Sequence, residues 1–275
     1  MLNDLGDDAK ILAGGQSLIP LLALRLTRFE HLIDLNRASD LGGIHFDGSE
    51  VSLGAMVRQS EVIKNRELAS GLSLLPLASR QVGHFQIRNR GTVCGSIAHA
   101  DPAAEYPAVA LALDAHIDML SASKSRSVAA ADFFVSTFVT AAESDELLVR
   151  IRFPLWGIRS GFAVAEAARR SGDFAIAGAV AGVHLADDGR IKRVAVALFG
   201  VGSTPIRASA VETAVLGQAA SELTGAALTE ISHVASEGLD PPADLHASSR
   251  FRRHLVTVMV GRALTEAMAS AGRSN

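Results

Sequence analysis

The sequence predicts an α+β chain built as two domains. Three observations carry that reading: short apolar runs of strand-like alternation in the first half run into two glycine turns, the pattern changes at Pro154 to Gly161, and beyond it a long hairpin precedes segments of helical period.

In chain order, Lys10 to Ala13 is a short apolar run that ends in Gly14-Gly15 and reads as a strand delivering a tight turn. His31 to Leu35 is a second strand. Ile44, Phe46, Val51 and Leu53 alternate around Asp47-Gly48, a dipeptide that supplies the positive φ of a hairpin turn. Leu75, Ala78 and Val82 recur at helical spacing, so 72–82 is predicted as a helix, with Pro76 tolerable only near its first turn. The polar stretch 84–90 reads as the approach to the second glycine turn, and Pro102 to Leu113 as an Ala-rich buried helix. Ile117 and Met119 alternate before a Ser/Lys-rich turn at 121–127, and Leu147, Val149, Ile151 and Phe153 alternate up to Pro154. Beyond the boundary, 175–185 and 191–199 flank Asp187-Asp188-Gly189 as paired strands; Ala227, Ile231 and Val234, then Val256, Met259, Val260 and Ala263, mark helices.

Composition narrows the function. The chain has 275 residues, enough to bury a sizeable core, and its net charge of −3 is spread along the sequence, without the basic stripe that nucleic-acid binding requires. Apolar runs such as Val194 to Val201 stop well short of the ~20 residues that span a bilayer, so an integral membrane protein is not expected. The N-terminus has neither the basic start nor the apolar core of a secretory signal, which predicts a cytoplasmic location. Cys94 is the single cysteine, so an internal disulfide is impossible, and a Cys-ligated zinc or iron–sulfur centre must sit on another chain.

The two glycine turns are the sites of chemical interest. Ala13-Gly14-Gly15-Gln16-Ser17 places two residues without Cβ beside a small polar pair, so that backbone N–H groups can converge on an anion such as a diphosphate. It is neither a Walker A loop nor a Gly-x-Gly-x-x-Gly fingerprint, and on form alone a simple turn remains open. In the second turn, Thr92, Val93, Cys94, Gly95 and Ser96 are followed by Asp101 and Glu105, a set of hydroxyls and acids suited to phosphates and a polyol; a tight turn before a buried helix is the alternative. His99 with Asp101 lacks the third partner of a metal or general-base site. Arg88 and Arg90 flank the second turn, where they could neutralise phosphates, pair with a neighbouring subunit or be a solvated pair; the cluster Arg250, Arg252, Arg253 and His254 reads as a solvated helix face, a partner contact being the alternative, while Trp156 is expected at the domain junction and Tyr106 near the second turn.

Taken together, AGGQSLIPLLALRL and QIRNRGTVCGSIAHADPAAEYP resemble the FAD-binding medium subunits of molybdenum hydroxylases, typified by carbon monoxide dehydrogenase and the flavin portion of xanthine dehydrogenase. The resemblance continues through residues 31–36, 53–55, 169–175, 198–202 and 250–255. It implies a two-lobed FAD-binding domain of the PCMH, or vanillyl-alcohol-oxidase, type at 1–157, followed by a carbon monoxide dehydrogenase flavoprotein C-terminal-type α+β domain at 158–275. It further implies noncovalent FAD, with Ala13, Gly14, Gly15, Gln16 and Ser17 around the diphosphate and Thr92, Val93, Cys94, Gly95 and Ser96 as the second phosphate and ribityl loop. Asp101 and Glu105 then make polar contacts, and Leu148 packs on the flavin ring. Molybdopterin belongs to a large partner subunit and two [2Fe-2S] clusters to a small one, in a dimer of heterotrimers that can bring the chain to the inner membrane face. Two departures stand out: Cys94 replaces a glycine common in relatives, and a strand and helix expected before Leu5 to Lys10 are missing. Other readings of the residues are a stand-alone flavin oxidase or dehydrogenase and an assembly scaffold without FAD.

Overall fold

The computed structural model describes residues 2–273. The first lobe holds α1 (Leu2–Leu5), β1 (Ala9–Leu12), α2 (Leu18–Ala23) and β2 (His31–Asp34). The strands β1 and β2 pair in parallel, with Ala9 opposite His31 and Leu12 opposite Asp34. Parallel pairing demands a crossover rather than a tight hairpin, and the glycine turn with α2 provides it.

The second lobe opens with the hairpin β3 (Ile44–Phe46) and β4 (Glu50–Gly54), where Asp47 Oδ1 accepts from the Ser49 and Glu50 amides at 2.9 and 2.8 Å, and Gly48 takes φ 93°. A helical stretch follows: α3 (Gln59–Lys64), α4 (Arg66–Gly71), α5 (Leu74–Gln81), α6 (Phe85–Arg90), α7 (Val93–His99) and α8 (Glu105–Ala112). Then come β5 (His116–Leu120), β6 (Ser125–Ala129), α9 (Ala130–Phe133), the small pair β7 (Phe134–Ser136) and β8 (Val139–Thr140), and β9 (Leu147–Pro154). The main sheet runs β3-β4-β9-β5-β6. Its alternating inner residues Val51, Leu53, Ile117, Met119, Ile151 and Phe153 are fully buried, which is the period-2 pattern seen in the sequence.

The remainder is an antiparallel sheet, β10 (Ser160–Ala167), β11 (Ala177–Leu185), β12 (Ile191–Phe199) and β13 (Ile206–Arg207), with α10 (Ser209–Val215), α11 (Gly225–Val234) and α12 (Ser249–Arg273). On one face, Gly161, Ala163 and Ala165 admit α12 closely; a Cβ at Gly161 would lie 2.1 Å from the Ala267 carbonyl oxygen. On the other, Phe162, Val180, Ala197 and Phe199 join Leu74, Tyr106 and Val109 of the preceding lobe in one core. Burial on both faces explains the near-continuous apolar run of β11.

Three expectations are corrected. The segment 84–90 is the helix α6, and Thr92 to Ser96 is not a free turn but the cap and first turn of α7. Arg252 is not solvated: it is 5% exposed, its guanidinium donating to the Gly200 and Ile176 carbonyls at 2.8 and 2.5 Å and to Asp244 at 2.6 Å. Burial of a guanidinium is tolerable there because carbonyls and a carboxylate surround it. Trp156 does pack where β9 meets β10, with the Arg193 guanidinium 4.0 Å above its ring and Phe162 at 5.3 Å.

Candidate cofactor site

The strand β1 ends in the first glycine loop. Gly14 is buried and Gly15 takes φ +74°, and the Ile19 amide donates to the Gly15 carbonyl at 3.0 Å to start α2. The backbone N–H groups of Gly14, Gly15, Gln16 and Ser17 meet no acceptor among the described residues. A run of converging, unpaired amides is what an anion needs. A cavity of about 430 Å³ opens on Ala13, Gly14, Gly15 and Gln16, and it is closed from the sides by Asp34, Asn36 and Arg90.

The second loop lies against the first. Thr92, 2% exposed, caps α7 by accepting from the Gly95 amide at 3.0 Å. A Cβ added at Gly95 would fall 2.5 Å from that Thr92 oxygen and 3.8 Å from the Ala13 Cβ. At Gly14, an added Cβ would lie 2.5 Å from the Arg90 carbonyl oxygen and 2.7 Å from the Gly91 Cα. The two backbones therefore touch only because both loops lack side chains at the contact. Val93 and Cys94 point into the core, 0% and 2% exposed, so they offer main chain rather than side chain. Cys94 sits in helical rather than positive-φ backbone, so its replacement of glycine costs no conformational strain. Burial pushes its thiol pKa up.

The acids divide. Asp101 Oδ1 accepts from the Ala103 amide at 2.9 Å. Glu105, 8% exposed at the start of α8, accepts a hydrogen bond only from its own backbone amide among the described residues, and burial, reinforced by Glu166, pushes its pKa up to about 8. Glu166, on the β10 face toward α5 and α8, has a buried Oε2 without a partner and a pKa raised to about 7 by burial. Leu148 is buried in β9 opposite Met119, away from the lining of the cavity at the first loop. Ser96 is half-buried in α7. His99 stacks on Phe138 at 4.9 Å, and no group of three or more His, Cys, Asp or Glu suited to a metal occurs among the described residues. Tyr106 is fully buried, its hydroxyl paired with Ser79.

Sequence reasoning did not single out Asp34, Asn36 or Glu166 for the site, and it weighed Arg90 without choosing it. Parallel pairing sets the end of β2 beside the end of β1, and nothing in linear spacing announces that. The residues present fit a dinucleotide: unpaired amides for a diphosphate, a cradle that side chains would fill, and a buried carboxyl beyond it.

The fold and site are those of a two-domain protein whose glycine loops suit a dinucleotide. Residues 1–156 match the family described as FAD binding domain in molybdopterin dehydrogenase, and residues 162–267 the carbon monoxide dehydrogenase flavoprotein C-terminal domain. The chain is 39% identical to the 6-hydroxypseudooxynicotine dehydrogenase complex subunit alpha of Paenarthrobacter nicotinovorans, covering 98% of this chain and 90% of that protein. It superposes on a chain of carbon monoxide dehydrogenase from Hydrogenophaga pseudoflava with a TM-score of 0.93 at 37% identity, covering 98% and 92% of the two chains. On quinoline 2-oxidoreductase from Pseudomonas putida 86 the TM-score is 0.90 at 35% identity, with the same coverage of 98% and 92%. The chain belongs to the family of FAD-binding medium subunits of molybdenum hydroxylases.

Proposed function

We propose that this chain holds FAD between its two glycine loops and passes electrons between the iron–sulfur clusters of a small partner subunit and a terminal acceptor, while a molybdopterin-bearing large subunit oxidises the substrate. FAD, when bound, would supply the redox chemistry between one-electron and two-electron partners. The chain's own residues bind and orient it. In this reading Ala13, Gly14, Gly15, Gln16 and Ser17 meet the diphosphate through their amides, as does the main chain of Thr92 to Ser96. Asp101 and Glu105 lie toward the ribityl side, and Leu148 toward the ring. The domain division falls at 157/158, the assembly is a dimer of heterotrimers, and it works in the cytoplasm. No helix among the described residues is long and apolar enough to cross a membrane.

One observation carries the reading: the Gly14 backbone presses on Arg90 and Gly91, setting the second loop against the first beside a cavity lined by Ala13 to Gln16, where the amides of Gly14 to Gln16 meet no acceptor among the described residues. The test is the visible absorption spectrum of the purified full chain, with mass identification of whatever heat releases. Flavin bands and free FAD are expected. Gly15→Asp places a carboxylate at a position with φ +74°, among amides meant for phosphate, and is expected to yield colourless protein. Full FAD occupancy in that variant overturns the assignment of the first loop.

A further inference from the structure

The glycine loops lie far apart in sequence, and their contact at Gly14 and Gly91 is one of closest approach, not of hydrogen bonding. Something else must hold them together while no nucleotide bridges them. The segment joining β4 to α3 runs beside the second loop: the Val93 amide donates to the Val57 carbonyl at 3.2 Å, the Gln59 amide to the Gly91 carbonyl at 3.0 Å, and Arg58 forms a β-bridge with Thr92. The Arg58 side chain is thus fixed at its root to the second loop. One guanidinium nitrogen donates to the Arg90 carbonyl, and Nη2 donates to Asn36 Oδ1 at 2.5 Å. Asn36 in turn donates from Nδ2 to the Ala13 carbonyl at 3.2 Å, on the first loop.

We infer that Arg58 is a positioning residue, a clip whose guanidinium fork joins the second glycine loop through Arg90 to the first through Asn36 and so keeps the cradle closed ahead of the nucleotide. The inference rests on the reading that both loops hold the FAD diphosphate. Arginine suits the task because its planar fork reaches two acceptors in different directions, which a lysine ammonium on a flexible stem cannot reproduce in one geometry. The clip also holds a second guanidinium close: Arg58 is made a weaker base by its own burial and then by the nearby Arg90, which lines the cavity. Arg58 itself does not line that cavity, whose charged lining is Arg90 and Asp34, so its part is to position the loops.

The test is FAD titration of the deflavinated full chain in wild type, Arg58→Ala and Arg58→Lys, with hydrogen exchange in the absence of FAD at the hydrogen-bonded amides of Ile19 on the first loop and of Val93 and Gly95 on the second. Loss of hydrogen bonds from a charged donor predicts a Kd raised roughly 10- to 100-fold in Arg58→Ala. Arg58→Lys is expected to lose nearly as much affinity although it keeps the charge, and both variants should exchange faster at the two loops while retaining the wild-type circular dichroism spectrum. Wild-type affinity in Arg58→Lys overturns the clip and leaves Arg58 as a counter-charge only. Unchanged loop exchange in both variants overturns it too, and if Arg58→Ala fails to fold, the lysine variant decides alone. Gly15→Asp is measured alongside. If it keeps FAD, the loop assignment itself fails; if it loses FAD while both Arg58 variants bind normally, only the clip fails.

Discussion

Gly14→Ala isolates the contact on which the cofactor site depends. The new methyl carbon would stand 2.5 Å from the Arg90 carbonyl oxygen and 2.7 Å from the Gly91 Cα, where ordinary contact begins at 3.4 Å. Neither neighbour is the end of a flexible side chain, so relief requires the two loops to part by about 1 Å, given optimal carbon contacts of about 3.5–4.0 Å. Overpacking of this kind costs about 1–3 kcal/mol. Because the strain is relieved by opening the cradle, the cost falls on the closed, binding-competent state, and a Kd for FAD raised about 5- to 150-fold follows at about 1.4 kcal/mol per decade. The assay is flavin-fluorescence quenching on titrating FAD into the deflavinated full chain. Gly71→Ala serves as control, since a Cβ there meets nothing nearer than a Phe46 ring carbon at 4.0 Å. Binding by Gly14→Ala within twofold of wild type, with an unshifted melting temperature, would refute the claim that the loops are held at backbone contact.

Two further outcomes follow from buried groups. The raised pKa values of Glu105 and Glu166, about 8 and about 7 against 4.5 when unperturbed, mean that the folded chain binds more protons than the unfolded one across that window, so this pair's contribution to stability declines as pH rises from about 4.5 to 8. Glu166→Gln removes one charge and breaks no hydrogen bond at the unpartnered Oε2, so its advantage over wild type should grow from nothing near pH 4.5 to about 1–2 kcal/mol at pH 8.5. Melting temperatures at both pH values test this, and an advantage that does not change with pH would refute the raised pKa of Glu166. Cys94, 2% exposed and with its thiol pKa raised by burial, should ignore a disulfide reagent in the folded protein and react with one equivalent after unfolding. Fast reaction of the native chain would place the thiol at the surface instead.

What the sequence disclosed was set by local rules. The strand into Gly14-Gly15, the Asp47-Gly48 hairpin, the alternation of β9 and the helical period within α12 each arise from a few adjacent residues. The helices α3, α4 and α6 have six residues apiece, too few to display two turns of amphipathic period. Strand β10 was not visible because its Gly and Ala positions reflect the approach of α12, a tertiary fact. The same holds at the site. Gly14, Gly15, Thr92 and Gly95 were legible as loop chemistry and as a family resemblance, whereas Asn36, Arg58, Arg90 and Glu166 enter through parallel pairing, a β-bridge and the packing of a second sheet. Arg252 looked like part of a solvated basic cluster because sequence cannot show the carbonyls of Ile176 and Gly200 that receive it.

Those carbonyls also link a domain without glycine loops of its own to the proposed cofactor site. Arg252 of α12 grips the Gly200 carbonyl, and the buried Gly200, with φ +76°, donates its amide to the Pro102 carbonyl at 2.7 Å. Pro102 lies between Asp101 and Glu105. At the far end of α8, Arg207 donates to the Leu111 carbonyl at 2.7 Å and to Asp114 at 2.9 Å, with Arg193 also on Asp114 at 3.2 Å. The second domain thus holds α8 by both ends, and along its length Phe199 and Ala197 share a core with Tyr106 and Val109. The buried pairs in this chain of contacts are the ones that fix geometry, since removing one partner would strand a buried donor or acceptor. Glu105 is therefore placed by the second domain as much as by its own helix. If the glycine loops hold the diphosphate as proposed, the far domain sets where the acid beyond them stands.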